Sequence, residues 1–323
     1  MQTSGPALSA PYRVLAFDSG IGGLGIVRAI RALSPHIRVD YLADTAVFPY
    51  GEQDDVLLTE RIISLICLAV ARLRPQAVII ACNTASTLAL DALRAACPTV
   101  PFIGCVPPIR WAARQTKTGV IGLLATRATI RRPYLSRLHA LYAPQCTLIA
   151  HAAPHLASYA EQVFRGQSVS EHAIYKDIEG LFQHPDSARL DAIGLGCTHY
   201  TFVLDLLRKL APPGISWLDP AGAVARQTCT VLQNLPPMAA DSARRPAQAF
   251  FTARPPDAQA LAPQLPAYGF NDISLWDDPA PTPSCPLPPP ETSGSRQAVR
   301  RRLTHPPRAP YPEGGEVVAR RSD

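Results

Sequence analysis

Short runs of apolar residues alternate with amphipathic stretches from Arg13 to about Trp276. The runs at 14–17, 39–42, 77–81, 102–106, 120–125, 148–150, 192–195 and 215–218 are too short for helices and are continuously apolar. They predict strands buried on both faces. The stretches between them carry helical periodicity. The clearest is 54–73, which opens with Asp54 and Asp55, where negative charge meets the positive end of the helix dipole, and places Val56, Leu57, Ile63, Ile66 and Val70 at helical spacing. Strand and helix in alternation predict an α/β protein with mainly parallel sheets. The segments AVIIACNTAS and DAIGLGCTHY repeat one plan of apolar strand, cysteine, polar pair and helix, which predicts two similar α/β halves.

Composition changes this picture only at the C-terminus. The chain has 323 residues, 47% of them apolar and 17% charged, which is enough for a sizeable core and about two domains. Residues 277–323 differ, holding 11 of the 34 prolines, and they predict a disordered tail because they cannot bury enough apolar surface to offset the entropy of ordering. The tail includes a P-x-x-P at Pro283 to Pro286, read here as low complexity. The net charge of +6 points to the same place, since residues 296–323 carry seven arginines against three acids. No aromatic stripe accompanies them, so a solvated basic tail is preferred over a nucleic-acid-binding one. The opening residues lack the charged and apolar regions of a signal peptide, and the most apolar helical stretch, 62–70, is far shorter than a membrane span. Eight cysteines without framework spacing read as reduced thiols of a cytoplasmic protein.

Ligands of parallel α/β sheets bind beyond the carboxyl ends of the strands. The first strand is followed by Asp18, Ser19 and Gly20, and the second by Asp44 and a loop reaching Pro49, Tyr50 and Gly51. Asn83 and Thr84 follow Cys82 after the third strand. Thr126 and Thr129 follow the strand at 120–125, and Cys197, Thr198 and His199 follow the one at 192–195. Gly20, Gly22 and Gly25 spell G-x-G-x-x-G with Asp44 at the end of the next strand, the pattern of a dinucleotide site. Asp18 argues against that use, because its carboxylate would meet a pyrophosphate and repel it. No C-x-x-C or H-E-x-x-H is present, Pro154 spoils the i,i+4 pair His151 and His155, and no metal site is expected. His36, His139, His172, His184 and His305 read as surface residues.

The two framed cysteines are the sharper signal. Cys67, Cys97, Cys105, Cys146 and Cys229 read as small core hydrophobes, and Cys285 lies in the tail. Cys82 and Cys197 each close an apolar strand before a helix N-terminus, where free N–H groups and the dipole favour a thiolate.

The segments AFDSGIGGLG, ADTAVFPYGE, ACNTAS, GLLATRATI and GLGCTHY stand in the order and spacing of the glutamate racemases, which this chain resembles from about Arg13 to Trp276. Aspartate racemases are similar but carry Thr-Glu after the second cysteine, where this chain has Thr198 and His199. Three positions depart from the pattern. Gly25 replaces a Ser or Thr, Thr201 stands where Pro commonly follows the aromatic, and Ala153-Pro154 replaces a Cys-Pro ahead of the helix that carries Glu161.

The resemblance implies two α/β domains, 13–103 with 216–276 and 104–215, and a site in the cleft between them. It implies a cofactor-independent interconversion of L- and D-glutamate that supplies D-glutamate for peptidoglycan. Cys82 acts on D-glutamate and Cys197 on L-glutamate, assisted by Asp18 and His199. Ser19, Tyr50, Gly51, Asn83, Thr84, Thr126, Thr129, Glu161 and Thr198 join Asp18 and His199 around the substrate. Two thiols suit the chemistry, because a single base tends to return a proton to the face it came from. A homodimer without pyridoxal phosphate, metal, membrane or nucleic-acid partner is expected. The rival readings are an aspartate racemase, a nicotinamide oxidoreductase using the glycine pattern, and a non-catalytic nucleic-acid-binding or regulatory protein acting through its basic tail.

Overall fold

The computed structural model describes residues 11–238 and 245–277. The chain begins with β1 (Tyr12–Asp18), α1 (Leu24–Leu33), β2 (Ile37–Ala43), α2 (Asp55–Leu73), β3 (Ala77–Ile80), α3 (Asn83–Ala96) and β4 (Phe102–Gly104). It continues through α4 (Ile109–Gln115), β5 (Val120–Ala125), α5 (Arg127–Arg131), α6 (Pro133–Tyr142), β6 (Thr147–Ala152), α7 (Leu156–Phe164) and α8 (Glu171–Ile178). The last elements used here are β7 (Ala192–Gly196), α9 (Leu204–Leu210), β8 (Ser216–Leu218), α10 (Ala221–Gln233), β9 (Ala249–Phe251) and β10 (Ile273–Leu275).

These strands form two sheets. The order is β10-β9-β2-β1-β3-β4 in the first and β6-β5-β7-β8 in the second, and every pairing is parallel. In the first sheet β2 lies on one side of β1 and β3 on the other, and β6 and β7 flank β5 in the same way in the second. Each sheet therefore has a topological switch point beside its central strand, where a crevice opens at the carboxyl ends.

The eight expected strands are present, but β6 and β8, the two edges of the second sheet, are only partly buried where burial on both faces was expected. β1 is buried along its whole length. Its side chains alternate between two cores. Val14 and Ala16 pack with Ile26, Val27 and Ile30 of α1 and with Val224 and Leu232 of α10. Leu15 and Phe17 pack with Leu58, Ile62 and Ile66 of α2 and with Ala89 and Leu93 of α3. β5 divides likewise, Val120 and Leu124 facing α7 and α8, and Ile121, Leu123 and Ala125 facing α4 and α6.

Several details differ from the sequence reading. β9 and β10, three residues each, extend the first sheet beyond β2 and were not foreseen, because so short a run carries no usable periodicity. β8 pairs with β7, so residues 216–218 belong to the second sheet and not with the first. The helix at 54–73 is present, with the Asp54 side chain capping it by accepting the Val56 and Leu57 N–H groups at 2.9 and 3.1 Å. Val56 and Leu57 are themselves exposed, and Leu58, Ile62, Ile66 and Ala69 form the buried face. Cys105, Cys146 and Cys229 are buried as expected, whereas Cys67 and Cys97 are half-buried with their sulfurs 3.3 Å apart. His139 is half-buried, its Nε2 donating to the Cys146 carbonyl at 2.8 Å. Beyond Asp277, the expected tail with Cys285, His305 and the P-x-x-P lies outside the described residues. Among the described residues no helix is long and apolar enough to cross a membrane.

Two charged clusters hold this frame. Arg13 on β1 and Asp40 on β2 are 2% and 1% exposed, and Arg13 Nη1 donates to both Asp40 oxygens at 2.8 Å. Arg245 also donates to Asp40, at 2.6 Å. Between the sheets, buried Arg132 reaches Asp55 at the start of α2 with two nitrogens, at 3.2 and 2.7 Å. Its third nitrogen donates to the Thr84 carbonyl at 3.0 Å and the Thr87 hydroxyl at 3.1 Å on α3. Breaking a buried pair from one side strands the other charge. Asp40→Ala is accordingly expected to lower the unfolding free energy by about 3 kcal/mol, read as a lower midpoint in urea at an unchanged slope.

Candidate active site

The polar residues that end β1, β3, β5 and β7 meet at the two switch points. Asp18, the last residue of β1, is fully buried. Its Oδ1 accepts the Gly20 N–H at 3.2 Å and the Ser19 hydroxyl at 3.4 Å, while its Oδ2 accepts the Thr198 hydroxyl at 2.9 Å. That last bond joins the end of the first sheet to the end of the second. Burial raises the Asp18 carboxyl above the usual range, and the charge of His199 and the Thr198 hydrogen bond offset this only in part.

Cys82 follows β3 and stands at the N-cap of α3. The sequence reading expects the helix N-terminus to favour its thiolate. The N–H groups of Ala85 and Thr84 do act in that direction, but burial and the Asp18 charge are larger and push the thiol well up. The surroundings of Cys82 therefore favour its thiol form. Beside it Asn83 is buried, its amide nitrogen donating to the Cys105 sulfur at 3.4 Å, while its Oδ1 is buried with no hydrogen-bond partner. Thr84 and Thr126 bring their hydroxyls within 3.1 Å of each other across the sheets, and Thr126 caps α5 through the Thr129 N–H at 3.2 Å. The Thr129 hydroxyl lies 3.0 Å from that of Thr126.

The second sheet contributes Cys197, buried at the end of β7. It precedes a 3-10 turn, Thr198–Val203, instead of the expected α-helix, and α9 follows only after that turn. His199 Nδ1 lies 3.9 Å from the Cys197 sulfur, and Nε2 lies 2.9 Å from Glu161 Oε1. Glu161, on α7, also accepts the Ile21 N–H at 2.8 Å from the loop after β1. Burial depresses the imidazole, yet the hydrogen bonds and charges of Cys197 and Glu161 outweigh it and raise His199 well above its ordinary value. Burial likewise opposes the Glu161 charge, and His199, Arg165 and the Ile21 N–H overcome it, so the carboxylate lies below its usual range.

The glycine pattern has a different use from the one it spells. A Cβ on Gly20 would fall 2.2 Å from Glu161 Oε1, and one on Gly22 would fall 2.5 Å from both His199 Nδ1 and Thr198 Oγ1. These glycines let the second sheet's polar side chains press against the β1 loop, so the space beside them is filled by protein. Asp44, the acid of that pattern, is also buried and committed elsewhere. It takes Arg61 at 2.7 and 2.6 Å, the Tyr50 hydroxyl at 2.6 Å and the Thr252 hydroxyl at 2.7 Å. Tyr50, expected among the substrate contacts, thus has its hydroxyl engaged, and Gly51 packs against Thr126.

All of the sequence-derived residues therefore lie within one connected region. Sequence reasoning missed Arg132 and Arg165, which hold Thr84 and Glu161, and Arg61 and Thr252, which hold Asp44 beside Tyr50. Only the i,i+4 spacing of Glu161 and Arg165 on a helix gave any signal. Among the described residues no group of three or more His, Cys, Asp or Glu side chains is arranged to hold a metal.

The chain is similar to a known family along most of its length. Residues 25–228 match the model of the Asp/Glu/Hydantoin racemase family. The chain is 52% identical over 218 residues to a glutamate racemase of Granulibacter bethesdensis, covering 68% of this chain and 78% of that one. It is 44% identical over 228 residues to a glutamate racemase of Brucella anthropi, covering 71% and 82%. The fold superposes on the crystal structure of Escherichia coli glutamate racemase in complex with L-glutamate and the activator UDP-MurNAc-ala with a TM-score of 0.76 and 34% identity, covering 82% of this chain and 98% of that one.

The raised His199 sets a test of the geometry alone. A group raised on folding contributes stability fully below its unfolded value, near pH 6.5 for histidine, and loses that contribution as pH rises through the folded value. Glu161→Gln is expected to bring the His199 titration down, followed by the NMR shifts of its ring. The stability gap between this variant and the wild type should narrow as pH rises past the wild-type value.

Proposed function

The chain belongs to the Asp/Glu/Hydantoin racemase family, and we propose that it is a cofactor-independent glutamate racemase working through Cys82 and Cys197. The observation that carries this reading is the pairing of two buried cysteines at the carboxyl ends of strands in two different sheets. Each has its own partner, Asp18 beside Cys82 and His199 beside Cys197, and the Thr198–Asp18 bond joins the two sides. The 52% and 44% identical relatives, both glutamate racemases, support glutamate as the substrate.

Inversion requires a base on one face of the α-carbon and an acid on the other. The free site supplies the acid in Cys82, held as a thiol. It supplies on the other side a protonated His199 facing the Cys197 sulfur, a counter-ion for a thiolate. This protonation state suits L-glutamate. The Cys197 thiolate removes the α-proton and becomes a thiol. The Cys82 thiol then delivers its own proton to the opposite face and becomes a thiolate, leaving the enzyme ready for D-glutamate. The unpartnered Asn83 Oδ1 is an acceptor for the substrate ammonium, and the hydroxyls of Thr84, Thr126 and Thr129, which among the described residues hydrogen-bond only with one another, are donors for its carboxylates. Exclusion of water strengthens each of these dipoles against the charge that builds on the α-carboxylate when the proton leaves.

In this reading each sheet with its helices is a domain and the substrate lies between them. The protein is a cytoplasmic homodimer, and its D-glutamate is destined for peptidoglycan.

The circular dichroism of L-glutamate is expected to decay to zero with purified protein and no added cofactor or metal, while L-aspartate stays unchanged. Decay of L-aspartate alone would move the assignment to the aspartate branch. Cys82→Ala and Cys197→Ala should each lower kcat by about a thousandfold or more with the fold retained, and normal racemisation by either variant defeats the two-thiol mechanism. One thiol must be ionised and the other protonated, so kcat/KM is expected to be bell-shaped in pH, with limbs that belong to the pair.

A further inference from the structure

Glu161 is a doubly occupied carboxylate. Its Oε1 takes His199 and the Ile21 N–H, and its Oε2 takes Nη2 of Arg165 one helical turn further along α7. The Arg165 side chain is 9% exposed, and its Nε is buried with no hydrogen-bond partner among the described residues. A guanidinium serving only to brace a helix would lie at the surface, where an i,i+4 pair forms without leaving an N–H unsatisfied. Here the charge is drawn inward against the one carboxylate that holds the histidine. The result is a chain of contacts running through Arg165, Glu161, His199 and Cys197.

We propose that Arg165 is a positioning residue for the racemisation, acting through Glu161 to set the pH range in which Cys82 and Cys197 share one proton. The inference rests on the two-thiol reading above. Glu161 divides its charge between two cations. With Arg165 in place, the array without a proton on Cys197 is balanced, two positive charges against Glu161 and the thiolate. Without Arg165, Glu161 binds the imidazolium alone, the positive potential at the sulfur falls, and the array keeps its proton to higher pH. The other charged or titratable groups facing this array act from different elements. Asp18 comes from β1, Cys82 from the start of α3, Tyr41 from β2 and Tyr200 from the turn after β7, and none of them is bonded to Arg165.

Enantiomers have equal free energy, so kcat/KM for L- and D-glutamate must agree at every pH. A change in the array therefore appears as one common shift of the bell in both directions, and agreement of the two directions checks each data set internally.

The experiment is the pH profile of kcat/KM, by circular dichroism from both enantiomers, for the wild type, Arg165→Gln and Arg165→Lys. Thermal melts establish that each is folded. A unit charge separated from the sulfur by one carboxylate and one imidazole, at an intermediate effective dielectric, moves a titration by about one pH unit. Arg165→Gln is expected to move the bell up by that amount, and Arg165→Lys, which keeps the charge, to leave it in place whatever the loss in kcat. Where Arg165→Gln does not fold, Arg165→Met, which keeps the packing of the stem, carries the same expectation. A bell that is merely lower, at unchanged pH, overturns the proposal, as does an equal shift in Arg165→Lys. A wild-type protein that leaves both enantiomers unchanged defeats the racemase reading itself, before any variant is compared.

Discussion

Two hydrogen bonds between the ends of separate sheets, Thr198 to Asp18 and Ile21 to Glu161, fix how the first sheet meets the second at the site. Both involve a buried carboxylate, and a buried carboxylate without partners is costly enough that neither can be left open. The rest follows from bringing them together. The loop after β1 must lie within hydrogen-bond reach of side chains from α7 and from the turn after β7, and at Gly20 and Gly22 a Cβ would occupy the space those side chains fill. The supporting contacts lie around this seam. Arg132 ties α2 and α3 to the start of α6, and Asp44 gathers Arg61, Tyr50 and Thr252 behind the loop that packs on Thr126.

The strands and the ends that bear the site were legible because burial on both faces leaves continuous apolar runs, and the residue after such a run is where a parallel sheet places its ligands. Cys82 and Cys197 stood out for that reason. The resemblance supplied Glu161, which no local pattern marks, and the structure gives it a reason in the bonds it makes to Ile21 and His199. What stayed hidden depends on contacts distant in sequence. Arg13 with Asp40, Arg61 with Asp44 and Arg132 with Asp55 are pairs whose partners lie far apart along the chain, and no spacing announces them. The short edge strands β9 and β10 were invisible because their stability comes from β2 beside them and not from their own pattern. The glycine pattern is the reverse case, a legible motif with another meaning. It marks close approach of backbone to a partner, and the partner here is His199 and Thr198 instead of a phosphate.

The two halves resemble each other in plan but not in electrostatics. The Cys82 side carries a carboxylate and holds its thiol protonated, whereas the Cys197 side carries an imidazolium backed by Glu161. Such asymmetry cannot favour one direction of racemisation, because substrate and product are mirror images of equal free energy and the equilibrium is fixed without the enzyme. What it gives the two sides is different surroundings, a buried carboxylate that disfavours a charge on Cys82 and an imidazole facing the Cys197 sulfur. Two equivalent thiols, each beside a carboxylate, would both stay protonated, and two beside imidazolium ions would both ionise; either arrangement leaves the site with two acids or two bases. In the proposed two-thiol mechanism, opposite partners on the two sides suit one acid and one base, which is the condition that inversion without an electron sink requires.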